Sequence, residues 1–110
     1  MDYLNRINKF KAFSEAFDEA YGPCKTSFIT AIKSGPLNES EMSLIRFGVS
    51  LGTKHEGAIQ SNVRNCLRLG ISKETILQAV RTANGTLGLP DFSDVYSYVI
   101  EALEVELIEK

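Results

Sequence analysis

One histidine, two cysteines and a few amides are the residues of this 110-residue chain with chemistry to offer. His55 carries the side-chain type that exchanges protons near neutral pH, so it is the first candidate for a general acid or base. Glu56 beside it is a candidate orienter, and Asn62 and Asn84 are candidate hydrogen-bond donors to a substrate. On a helix, adjacent residues point roughly 100° apart, which weakens a direct pairing of His55 with Glu56. The alternative is structural. His55 then caps or packs at a helix start, Glu56 answers the helix dipole and its free N–H groups, and the asparagines bond to each other or to backbone. A buried amide left unpaired costs about 1 to 3 kcal/mol, so inward asparagines are ordinarily satisfied in one of these ways.

The cysteines offer less. Cys24 and Cys66 are too far apart in sequence for a local redox or metal pair and too few for a disulfide scaffold, so both are read as free thiols. Cys66 reads as a small core residue. Cys24, just after Pro23 at a helix start, would have its thiolate mildly favoured, but a peroxidase cycle there needs an external thiol. One histidine and separated cysteines do not make a zinc set. Gly85 and Gly88 do not form a phosphate loop after a strand. No metal and no cofactor is expected.

Positioning these groups falls to helices. Leu4, Ile7, Phe10, Phe13, Phe17 and Tyr21 recur every three or four residues, which predicts an amphipathic helix over 2–21, capped by Asp2 and ended by Gly22-Pro23. This aromatic series reads as core or subunit interface. A short second helix carries Phe28, Ile29 and Ile32 to Gly35-Pro36. Asn38 with Glu41 reads as a capping box for a third helix with Met42, Ile45 and Val49 on one face and Leu44, Phe47 and Leu51 beside it; Gly52 is expected to close it, and Gly48 to mark a close neighbouring helix. The fourth helix runs to about Leu69 and ends on a left-handed Gly70. On it His55, Ile59, Asn62 and Cys66 share one stripe, expected to face inward, opposite Gly57, Ser61, Arg64 and Arg68. Ser72 caps a fifth helix with an Ile71/Ile76 staple, reaching Leu87 before Gly88-Leu89-Pro90 breaks it. Asn84 falls on its apolar side, in line to meet Asn62 across a pocket. A sixth helix begins near Ser93. The expectation is an all-α single domain over 1–110, about six helices in an oligomeric bundle.

Bulk properties agree. At this length only about two-thirds of the unfolded surface can be buried, so oligomerisation would help. A net charge of -2 with scattered basic residues argues against nucleic acid and for a small-molecule or protein partner. No apolar run reaches the roughly 20 residues that span a bilayer, and the N-terminus has no apolar signal core. The expected location is cytoplasmic, with no membrane partner.

The stretch Gly52-Thr53-Lys54-His55-Glu56-Gly57-Ala58 through Leu67, with Leu69-Gly70-Ile71-Ser72-Lys73-Glu74 and Thr86-Leu87-Gly88-Leu89-Pro90, resembles the carboxymuconolactone decarboxylase and alkylhydroperoxidase D-like (AhpD-like) family in both content and order. The likeness covers about Leu37 to Leu103. Where the peroxidase branch carries Cys-x-x-Cys-x-x-x-His, this chain has His55, Ala58 and Asn62, and the glutamate of the preceding helix falls near Ser43. The resemblance is therefore to a branch lacking the cysteine pair. It implies a homotrimer or homohexamer with a pocket between helices near subunit contacts. It also implies either decarboxylase or isomerase chemistry on a small organic acid or lactone, without a cofactor, for which the residue reading above offers His55 as the proton carrier, or peroxiredoxin-type activity, against which the lost cysteines stand. The other expectation is a non-catalytic oligomeric ligand binder or scaffold.

Overall fold

In the computed structural model, which describes residues 2–108, the chain is all-helical, with no strand among the described residues. It divides into two compact units, one ending at Leu37 and one starting at Asn38.

The first unit is a pair of helices, α1 (Tyr3–Ala16) and α2 (Asp18–Ile32). Asp2 caps α1 as expected, its carboxylate accepting the Asn5 N–H at 2.8 Å. The break between helices comes at Phe17 (φ -120°, ψ 40°), whereas Gly22 and Pro23, expected to part them, lie inside α2. Two local effects account for this. The Phe17 carbonyl accepts the N–H of Ala20 and of Tyr21, and Asp18 and Glu19 place negative charge in the first turn of α2. Pro23 arrives with α2 already begun and with a φ that suits a helix, so it removes one donor without stopping the chain. Of α1 only Tyr3 is buried, and of α2 nothing is.

The second unit holds α3 (Glu39–Thr53), α4 (Glu56–Arg68), α5 (Lys73–Arg81), the single turn α6 (Asn84–Leu87) and α7 (Leu89–Ile108). The capping box is present: Asn38 Oδ1 accepts the Glu41 N–H at 2.8 Å, and Glu41 Oε1 accepts the Asn38 N–H at 2.9 Å. The end of α3 comes later than expected. Lys54, at φ 58°, closes the helix in a left-handed turn two residues after Gly52, where the end was expected, and its ammonium meets Asp91 at 3.2 Å. Gly48 is exposed, and a Cβ added there would meet nothing within 4 Å, so no helix of this chain approaches it closely.

Gly70 (φ 84°) ends α4 in a Schellman motif, with the Ile71 N–H on the Cys66 carbonyl and the Gly70 N–H on the Leu67 carbonyl, both at 3.0 Å. Ser72 caps α5 through the Thr75 N–H at 3.1 Å, and Ile76 is buried. The fifth helix ends at Arg81 rather than Leu87, and the last begins at Leu89 rather than Ser93. Gly88 (φ 78°) makes the break, after which Pro90 stands in the first turn of α7, where a missing N–H costs nothing. In the core α4 packs against both α3 and α7. Phe47 and Leu51 from α3, Ile59 and Val63 from α4, Ile76 and Val80 from α5, and Val95, Val99 and Leu103 from α7 are all buried. Each such side chain contributes about 1.5 to 3 kcal/mol by leaving water.

Candidate functional site

The N-terminus of α4 is built by its own residues. His55 has extended backbone (φ -85°, ψ 111°) and occupies the cap position, where its Nδ1 accepts the Ala58 N–H at 3.1 Å. Its backbone N–H donates to Thr53 Oγ1 at 3.3 Å. The residue is exposed, because it precedes the helix instead of lying on its inner face. Glu56 is half-buried in the first turn, where its charge suits the helix dipole.

Ring chemistry follows from that cap. An Nδ1 that accepts from the backbone has its lone pair engaged, so the neutral imidazole carries its proton on Nε2. The outward edge of His55 is then a donor, and taking up a proton at Nδ1 would open the cap.

Further along α4 the buried residues are Ile59, Gln60, Val63 and Cys66. The inward arc is thus centred near Val63. Asn62 sits on its flank, half-buried, with its amide donating to the Ala58 carbonyl of its own helix at 3.0 Å. Asn84 is exposed at the start of α6. Among the described residues no hydrogen bond joins Asn62 to Asn84. The structure therefore brings His55 and Asn62 together only through Ala58, whose N–H meets one and whose carbonyl meets the other.

Buried polar chemistry lies elsewhere, between α3 and α4. Ser43 Oγ and Cys66 Sγ, both fully buried, are 3.2 Å apart. Asn65 Nδ2 donates to the same Ser43 oxygen at 3.0 Å, and Asn65 Oδ1 in turn accepts from Arg68, which is exposed. Burial pushes the Cys66 thiol up from its ordinary value of 9.0, and the Ser43 hydrogen bond and the Arg46 charge pull it back only in part. At neutral pH it stays a thiol, which is a poor nucleophile. Gln60 forms a second buried link: its Nε2 donates to the Tyr98 carbonyl at 3.0 Å and to Glu101 at 2.8 Å, tying α4 to α7.

Sequence reasoning missed Ser43, Asn65 and Gln60. For Ser43 a signal was available, since Ser43, Phe47 and Ser50 fall four and three apart on the face that α3 buries. Gln60 gave none, because an amide beside an apolar stripe is ordinarily at the surface.

Cys24 is exposed and Cys66 buried, and both thiols are free. Among the described residues no group of three or more histidine, cysteine or acidic side chains could hold a metal ion, and no helix is long and apolar enough to cross a membrane. Compared with protein-family models, with curated proteins and with solved structures, the chain matches none.

Proposed function

We propose that this chain is a carboxymuconolactone decarboxylase-like, AhpD-like protein whose motif helix has passed from chemistry to structure. In this reading it works as a non-catalytic homo-oligomer, a ligand binder or scaffold. Supporting the kinship are the ordered features between Asn38 and Pro90: a capped helix, the motif helix, a left-handed glycine and a serine-capped helix. The observation that carries the loss of catalysis is the hydrogen bond from the Ala58 N–H to His55 Nδ1. A general base needs the lone pair that this bond occupies.

Substitution separates the two roles. Asparagine caps helices well and cannot move protons at neutral pH, whereas alanine does neither. His55→Asn is expected to keep wild-type stability in urea titration, and His55→Ala to lose about 1 kcal/mol. Decarboxylation or isomerisation of small lactone acids that is present in the wild type and absent from a folded His55→Asn variant would defeat the proposal.

One observation favours a second reading. His55 is exposed with Nδ1 engaged, so its Nε2–H is available to donate to a substrate oxygen. A cofactor-independent decarboxylase or isomerase could use that donor, with Asn62 and Asn84 as further contacts. Peroxiredoxin-type turnover would have to run through the exposed Cys24 with an external thiol, given the burial of Cys66. Hydroperoxide consumption that survives in a Cys24→Ser, Cys66→Ser variant would exclude that route.

A further inference from the structure

We propose that Asn84–Gly85 is a self-modification site, at which the exposed asparagine amide closes on the following backbone nitrogen and the residue passes to aspartate and isoaspartate. The proposal is independent of any assembly and of the role of His55, and it holds under either functional reading above.

Reaction at an asparagine needs an unengaged amide, an unshielded neighbouring nitrogen and a backbone able to turn. Asn84 meets the first need: it is exposed, and among the described residues its side chain has no hydrogen bond. By contrast Asn5, Asn38, Asn62 and Asn65 each hold one. Gly85 meets the second. It is exposed, a Cβ added to it would meet nothing within 4 Å, and glycine sets no side chain of its own beside the nitrogen. Every other asparagine of the chain precedes a residue with a side chain. The third need is met by α6, a single turn that buries none of its residues and has no side-chain cap from Ala83. One turn fixes several dihedrals for few hydrogen bonds, so it opens readily where neither packing nor capping holds it.

The chemistry balances with water as the only co-reactant. The Gly85 nitrogen gives its proton to solvent and attacks Asn84 Cγ; the Cγ–Nδ2 bond then breaks, and ammonia leaves with a proton returned from solvent. The product is a cyclic imide, which water opens. Addition at Cγ restores the ordinary peptide bond and leaves aspartate, whereas addition at the main-chain carbonyl carbon routes the backbone through Cβ and leaves isoaspartate. Nothing is oxidised or reduced. Isoaspartate lengthens the backbone between residues 84 and 85 by one carbon. The N–H groups of Thr86 and Leu87 both reach back across this point to the Ala83 carbonyl, at 3.1 and 3.0 Å. An inserted backbone atom breaks that spacing, so isoaspartate undoes α6 and its packing on α7.

The test holds the folded protein at physiological temperature and mildly alkaline pH for successive periods, then digests it with trypsin beside an unaged sample. No lysine or arginine stands between Arg81 and Lys110, so residues 82–110 form one peptide, in which Asn84 is the only asparagine and glutamine is absent. The mass gain of amide-to-acid conversion in that peptide therefore reports Asn84 alone. It is expected to grow with time and to include isoaspartate on fragmentation, while the peptides carrying Asn62 and Asn65 stay unchanged. Gly85→Ala, which the open space accommodates, is expected to lose the conversion over the same period, with folding checked by far-UV circular dichroism. Should that variant misfold, the comparison with Asn62 decides. Amide exchange at Thr86 and Leu87 is expected to quicken in the aged wild type, and unchanged exchange would overturn the loss of α6. An Asn84 that stays intact in the folded chain while converting in guanidinium overturns the proposal. So does conversion as fast at Asn62, conversion unaffected by Gly85→Ala, or aspartate formed with no isoaspartate.

Discussion

A histidine that accepts a backbone N–H and a cysteine that shares a hydrogen with a serine show how residue types associated with reactivity become structural. His55 is held by the unpaired N–H groups of a helix start. Cys66 is held by burial, and the consequence can be measured. Its thiol is raised in the folded protein relative to the unfolded chain, chiefly by desolvation. The folded state therefore keeps the proton to higher pH than the unfolded state does. Stability from this group is complete below the unfolded value of about 9 and is lost as pH rises through the folded value. Urea midpoints are expected to fall across that alkaline range in the wild type. In Cys66→Ala the fall should be shallower, on top of a pH-independent loss from the vacated volume. Equal slopes in the two proteins would mean that the thiol is not desolvated.

Among the elements, α3 and α4 show which signals are local. The Asn38–Glu41 box and the Gly70 Schellman turn depend on a few neighbouring residues, and both form as the sequence predicts. The expectation for Gly48 depended on another helix and was not met. Because an added Cβ there meets open space, Gly48→Ala is expected to stabilise the chain by about 1 kcal/mol in thermal or urea unfolding. A loss instead would mean that a second copy covers this face of α3. The break at Phe17 and the continuation through Gly22 and Pro23 show the opposite limit. Proline's preference against helix interiors was outweighed by a helix already started, and a rule that reads residues singly does not contain that sum.

Taken whole, the chain has stability unevenly spread. From Asn38 onward α4 lies between α3 and α7, with Ile59, Val63 and Cys66 fully buried, while α2 buries nothing of its own. Amide hydrogen exchange should therefore be slowest over Ile59–Cys66 and fast across α2 in dilute protein.

The sequence by itself determined the helical class and most of the caps, because amphipathic spacing and cap chemistry are properties of short segments. It also determined that residues 52–67 hold a single cysteine. Tertiary structure decided which face of α4 turns inward. Rotation of the buried arc toward Val63 put Asn62 on the flank and left its amide to its own helix, and it brought Asn65 into reach of Ser43. It also decided that Gln60 is a core residue, since only the α7 carbonyl and carboxylate near it make an interior amide affordable. Periodicity leaves the facing of a helix uncertain by the angle between neighbouring residues, and at a site built from single side chains that angle separates a packed amide from an open one.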